Sequence, residues 1–346
     1  MATKEPGNPG VNTAMIRIRE GEIAKSTNWK RLAEPTSLIA TLFALIIIFS
    51  LLNPRFLSVE NLRNLTDQAS LPLILSVGAT LVILLGSIDL SIEGIMGSAA
   101  MTFVLLSANT RDSSDFGLLA VLAAIVVGII FGLLNGSIVT KIKVPSFVVT
   151  LGMWFVGLGV ATVLYGTETM PFLTNSDLTS WASTLSVGLP NSFWAAVVVV
   201  ILGVTFVGLT KTGRSVMAIG NNEHIARSAG LRVDRIKLAV FAIAGALSAV
   251  AGIIAAIKLG SGSPSVGLGN LFVTIPAVVI GGTALAGGKG GVLSSTLGVF
   301  ILIILNNGLI LAGVSPNFQS GIAGAILIGA IVVAAASQRD RLRIAK

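Results

Sequence analysis

Two carboxylates in a long apolar stretch are the first residues able to do chemistry. Asp89 and Glu93 stand in Leu85-Gly-Ser-Ile-Asp-Leu-Ser-Ile-Glu-Gly94, beside Ser87 and Ser91. A charge at bilayer depth is costly, so such a residue faces protein or a water-filled cavity. If the stretch is helical, the two acids are four apart and share a face. They would then line a polar pathway, or build a gate in which Asp89 accepts backbone and hydroxyl hydrogen bonds. The structural alternative has Asp89 capping a helix start and Glu93 lying at the membrane interface. No His or Lys adjoins them to complete a proton relay. Asn135, Asn306 and Asn307 are amides inside apolar runs; they either touch a polar solute or hydrogen-bond across helix interfaces. Trp154, Phe147 and Phe155 either stack on a sugar ring or act as packing and interfacial anchors.

Other chemistries fail on residue type or spacing. The run Gly281-Gly-Thr-Ala-Leu-Ala-Gly-Gly-Lys-Gly-Gly291 invites comparison with a phosphate loop. That loop needs Gly, four residues, then Gly-Lys-Ser/Thr. Here Thr283 occupies the first Gly position and Gly290 follows Lys289. A tight turn between two membrane helices is the better reading, with glycines supplying unusual backbone angles. Cysteine is absent and His224 is the single histidine. Thiolate chemistry, disulfides and a histidine-built metal site are therefore not expected. No Ser-His or paired-Asp pattern supports an intramembrane enzyme.

The elements that must hold these residues follow from composition. Of 346 residues, 53% are hydrophobic and 11% charged, against about 25% charged in soluble proteins. Glycine numbers 39, fitting close helix contacts in a membrane. The fold class is all-α: a polytopic membrane protein. Apolar runs are expected at 36–52, 70–85, 92–108, 117–139, 146–165, 193–209, 238–257, 271–286, 292–312 and 319–336. Several are short for a span of about 20 residues, so broken or re-entrant segments are expected. Ten spans place both termini on one side. Nineteen of the 23 Lys and Arg then share that side, and only Arg55, Arg63, Arg111 and Lys258 lie opposite. Such a split is the positive-inside pattern of a cytoplasmic face. It accounts for the net charge of +8 without nucleic acid.

The organisation is a cytoplasmic tail at 1–35, a transmembrane domain at 36–337 and a cytoplasmic tail at 338–346. The tail at 1–35 has no signal-peptide pattern. Within the domain, Leu133-Leu-Asn-Gly136 precedes Val144-Pro-Ser-Phe147, and Leu305-Asn-Asn-Gly308 precedes Ser315-Pro-Asn-Phe318. Leu85-Gly-Ser87 is echoed by Leu259-Gly-Ser261. The common offset, 171–174 residues, implies two halves, 36–190 and 191–337. Five helices each would make the second half inverted, an architecture recurrent in transporters. Residues 210–237 form the one long cytoplasmic loop. Asn222 is a candidate N-cap, Glu223 to Ala229 a short helix and Gly230 its stop. The loop is either a docking surface or a solvated basic segment, and His224 is expected at the surface.

Four motifs in order carry a resemblance over nearly all of residues 50–337. They are Gly-Ser-Ile-Asp-Leu-Ser (86–91), Gly-Arg-Ser-Val-Met-Ala-Ile-Gly-Asn-Asn-Glu (213–223) with Ala-Gly-Leu (229–231), Gly-Gly-Thr-Ala-Leu-Ala-Gly-Gly-Lys-Gly (281–290), and Leu-Asn-Asn-Gly-Leu (305–309). Together they resemble the permease subunit of ribose-type bacterial ABC importers, a group that includes autoinducer-2 systems. The resemblance implies a non-catalytic subunit of the bacterial inner membrane, usually paired with an identical second permease. It implies a cytoplasmic two-module ATPase that holds ATP and Mg, and a periplasmic sugar-binding protein. Gly220, Asn221, Asn222, Glu223, Arg227 and Gly230 match the segment that docks on the ATPase as a coupling helix. His224 and Ile225 depart from the small residues usual there, and Ser87 replaces a frequent Gly. The implied activity is alternating-access import of a monosaccharide or similar solute. The competing class is a stand-alone secondary transporter or channel.

Overall fold

The computed structural model describes residues 36–315 together with 318, 321, 324 and 325. Helices dominate. α1 spans Thr36–Leu52, α2 Val59–Leu84, α3 Ile92–Leu106 and α4 Leu118–Ser137, which widens into a π turn at Ile138–Ile142. α5 covers Ser146–Tyr165, α6 Ser176–Trp181 and α7 Asn191–Leu209. α8 (Lys211–Asn221) and α9 (Glu223–Ser228) follow, then α10 (Val233–Leu259), α11 (Asn270–Ile280) and α12 (Val292–Leu311). Among the described residues the only strands are the arms of a small hairpin, Leu185–Ser186 against Leu189–Pro190.

Among the described residues, six helices are long and apolar enough to cross a membrane: α2, α4 with its π turn, α5, α7, α10 and α12. α1, α3 and α11 are apolar but shorter. The run expected at 319–336 and both tails lie outside the described residues, apart from 321, 324 and 325. α2 begins at Val59 rather than at 70. The Ser58 hydroxyl caps it by accepting from Asn61 N at 3.2 Å, and its polar first turns extend the helix beyond the apolar run. α11 stops at Ile280 because a turn intervenes, with Gly282, Gly287, Gly288 and Gly290 at positive φ. The stretch 210–237 is more helical than expected. α8 exists because Val216 and Ile219 give it a buried stripe under a polar face.

The two longest helices form the centre. The most apolar window of α2 is 83% buried and that of α10 is 72%, against 17% for α7. α10 packs on α2, α3 and α4, and α2 also packs on α7, α11 and α12. The α4–α10 crossing brings backbones together: a Cβ on Gly128 or on Gly245 would strike the other's carbonyl oxygen. α5 and α7 turn Phe155, Val163, Ile201 and Leu202 outward, as helices against lipid do.

Element lengths repeat along the chain. α2 and α10 have 26 and 27 residues, and α4 and α12 have 20 each. A short helix follows the first of each set: α3 stands between α2 and α4, and α11 between α10 and α12. Gly86 (φ 75°) and Gly260 (φ 67°) end α2 and α10 in the same left-handed conformation.

Candidate functional site

The segment after α2 is extended. Gly86 leads into residues 87–90, and α3 begins at Ile92. Extended backbone inside a helix bundle needs partners for its N–H groups. α5 supplies them: Ile88 N donates to Ser146 Oγ (2.9 Å) and Leu90 N to Thr150 Oγ1 (3.0 Å). The segment thereby lies along the first two turns of α5.

Asp89 is buried at its centre. Its Oδ1 accepts from Ser91 N at 2.9 Å and from Ser91 Oγ at 2.6 Å. Ser91 Oγ in turn accepts from Asn135 Nδ2 at 2.9 Å. Asp89, Ser91 and Asn135, expected to be polar pathway residues, therefore form one buried chain joining the extended segment to α4. The carbonyl Oδ1 of Asn135 is buried with no hydrogen-bond partner among the described residues. Ser87 and Gly86 line a cavity of about 650 Å³ that reaches α9 and the turn before α5.

Glu93 points elsewhere. Its Oε1 accepts from Gly269 N (3.0 Å) and Leu271 N (2.9 Å), at the start of α11. It caps a helix, but one 176 residues away rather than its own, and it is buried rather than interfacial. Neither acid has a Lys, Arg or His in ion-pair range among the described residues. Asn307 pairs reciprocally with Asn61, by bonds of 3.0 and 2.9 Å, and Asn61 also donates to Phe56 O. That amide pair sits at the opposite end of α2 from Gly86. A helix rises about 1.5 Å per residue, so the structure does not bring Asn307 to Asp89. Asn306 is half-buried beside the pair.

The second cluster surrounds α9. Thr210 Oγ1 caps α8 by accepting from Gly213 N, and Asn222 Oδ1 caps α9 by accepting from Ile225 N at 3.0 Å. Gly230 (φ 83°) ends α9, and Leu231 N returns to Ala226 O at 3.1 Å. At the end of α8, Gly220 presses against Leu84 O and Gly288 N. Gly288 N donates to Leu84 O at 2.9 Å, and Asn221 Nδ2 donates to Gly288 O at 3.4 Å. The Gly281–Gly291 turn is therefore pinned to the ends of α2 and α8. His224 and Ile225 are exposed on α9.

An ion network ties α9 to α10. Arg227 contacts Glu223 at 2.9 Å and grips both carboxylate oxygens of Asp234; Lys237 contacts Glu223 at 2.6 Å. Burial opposes charge on Glu223, but hydrogen bonds and positive charge from Lys237 and Arg227 outweigh it and hold the carboxyl below its ordinary value. Asp234, then Glu223, hold Arg227 more firmly protonated than usual. Glu223 and Arg227 are four apart and legible on one helix face. Asp234 and Lys237 are not, because a left-handed turn separates them from α9. Among the described residues no three His, Cys, Asp or Glu side chains gather to hold a metal.

Apolar spans around buried polar junctions, with short amphipathic helices at one end, define a multi-pass membrane protein. A family model described as the permease component of branched-chain amino acid transport systems matches residues 61–331. The chain belongs to this permease family, and as such is a transport subunit rather than an enzyme. It is 38% identical over 310 residues to the ribose import permease protein RbsC of Escherichia coli, covering 87% of this chain and 94% of that one. The RbsC of Bacillus subtilis is 35% identical over 294 residues, 84% of this chain and 90% of its own. The autoinducer 2 import system permease protein LsrC of Yersinia pseudotuberculosis is 32% identical over 302 residues, covering 86% and 84%.

Proposed function

We propose that this chain is the membrane subunit of an ATP-driven importer for a monosaccharide or a similar polyhydroxylated solute. The observation that carries the reading is the similarity over most of the chain to ribose and autoinducer-2 import permeases, together with the separately capped α9. Two copies of the chain form the pathway in a bacterial inner membrane. Each has ten spans in two inverted halves and both termini in the cytoplasm. The matched pairs α2/α10, α3/α11 and α4/α12 support the repeat. A periplasmic binding protein delivers the solute, and a cytoplasmic two-module ATPase binds ATP and Mg.

α9 is the ATPase docking helix. Asn222 and Gly230 fix its ends, Ile225 offers an apolar contact, and Gly220 and Asn221 anchor α8 beneath it. Asp89, Ser91 and Asn135, with Ser87, form a polar gate beside the pathway, where the unpartnered Asn135 carbonyl accepts from water or a solute hydroxyl. ATP binding moves α9, and the two permease states differ in contacts around that gate. Uptake of radiolabelled ribose and other sugars into proteoliposomes tests the reading, with the ATPase and binding protein omitted in turn. Uptake should require both. Transport by the chain alone would establish the stand-alone carrier instead.

A further inference from the structure

α9 has six residues and stands between two joints of different construction. Toward α8 the joint is a single extended residue, Asn222 (φ −162°, ψ 103°), and α8 itself is fixed to Leu84 and Gly288. Toward α10 the connection is a turn closed by Leu231 N to Ala226 O, with Ala226 buried. Across that turn run the ion pairs of Arg227 with Asp234 and of Glu223 with Lys237. No ion pair links α9 to α8 among the described residues. On its open side α9 faces the cavity of about 650 Å³, whose far wall is Lys143, Val144, Pro145 and Ser146.

We infer that the Glu223–Arg227–Asp234–Lys237 network makes α9 and α10 one rigid lever, hinged at Asn222. Asp234 and Lys237 are thereby positioning residues for coupling. A six-residue helix cannot hold its orientation alone. Four side chains bridging the turn fix it to a helix of 27 residues. α10 then carries the displacement into the membrane along two backbone contacts. One is the Gly128–Gly245 crossing with α4; the other is Gly252 against Met96 of α3. α4 bears Asn135 and α3 follows Asp89 and Ser91, so both ends of the buried polar chain ride on helices that α10 touches. The inference rests on the reading of α9 as the ATPase docking helix.

The natural absence of cysteine permits a direct test. Spin labels at Ile225→Cys and Leu259→Cys, both exposed, report the α9–α10 distance across the lever. In the full permease–ATPase complex that distance should stay fixed when ATP is added. In an Asp234→Asn, Lys237→Met background it should broaden or shift, and ATPase stimulation by the binding protein should fall at least about threefold, as loss of a small ion network allows. Asp234→Glu alone, which keeps the charge and leaves Lys237 in place, should leave both readouts as in the parent. A label distance that changes with ATP in the otherwise unmodified chain overturns the lever, as does unchanged stimulation in the double variant. Failure of the docking reading is separable: Ile225→Arg should release the ATPase on purification. If that variant keeps the ATPase bound, α9 is not the docking helix and the lever falls with it.

Discussion

Replacement of Glu93 separates a structural carboxylate from a transport group. Its Oε1 accepts two backbone N–H bonds, from Gly269 and Leu271, at the start of the eleven-residue α11. Those donors belong to the set a helix cannot satisfy internally, and the bond from Leu271 N is buried while that from Gly269 N is part-buried. A hydrogen bond to a charged group contributes about 1.5–3 kcal/mol, and a buried donor left unpaired costs about 1–3 kcal/mol. An anion at a helix start adds roughly 0.3–1 kcal/mol. Glu93→Ala should therefore destabilise the fold by about 2–4 kcal/mol once local rearrangement recovers part of the loss. Glu93→Gln keeps an accepting oxygen and loses the charge, so it should cost only about 1 kcal/mol. Equilibrium unfolding in mixed micelles, followed by circular dichroism, measures both. Uptake per assembled protein should be nearly normal in Glu93→Gln. An alanine variant within about 0.5 kcal/mol of the parent, the ordinary range of inert substitutions, would refute the cap. A glutamine variant that is stable but does not transport would show that the charge itself serves transport.

Three further outcomes follow from the same geometry. Asn307→Ala removes one half of the reciprocal amide pair with Asn61 and should cost about 1–3 kcal/mol; uptake should fall only in proportion to assembled protein, and a loss per molecule would place Asn307 in the pathway. Gly220→Ala puts a methyl against Leu84 O and Gly288 N, so overpacking of about 1–3 kcal/mol should lift α8; co-purification of the ATPase should drop, and full retention would refute the anchoring. Glu223 is held below its ordinary value of 4.5, so its stabilising contribution is complete above that pH and is lost only as pH falls through the lower, folded value. ATPase affinity should accordingly be flat through neutral and alkaline pH and decline in acid. An inflection near neutrality would refute the role given to Glu223.

Local chemistry was legible in the chain, and distant partners were not. Ser146–Tyr165 is read to the residue from its apolar run because Pro145 punctuates it, and the end of α1 at Leu52 matches its run as well. Asn222 and Gly230 declare the ends of α9 through capping preferences that act over three residues. The polar start of α2 escapes hydropathy because a helix capped at Ser58 needs no lipid around its first turns. α8 hides in a basic loop because its buried stripe is only Gly213, Val216 and Ile219.

The site residues divide on the same line. Asp89 to Ser91 is a contact over two residues and lies within reach of sequence reasoning. Glu93 to Leu271 and Asn61 to Asn307 span 178 and 246 residues. No local rule distinguishes a carboxylate that lines a water path from one that ends a remote helix. Both are acids in apolar surroundings, and both are costly unless satisfied. The structure shows the kind of partner each acid has. Among the described residues, backbone N–H and hydroxyl groups rather than cations contact Asp89 and Glu93. An acid so held stabilises a broken helix wherever extended backbone exposes unpaired donors. The left-handed glycines Gly86 and Gly260 create that exposed backbone after each of the two central helices. An intramembrane acid in this chain therefore follows from the breaks in its helices, and the chain from Asp89 through Ser91 to Asn135 ends on a buried amide oxygen without a hydrogen-bond partner among the described residues.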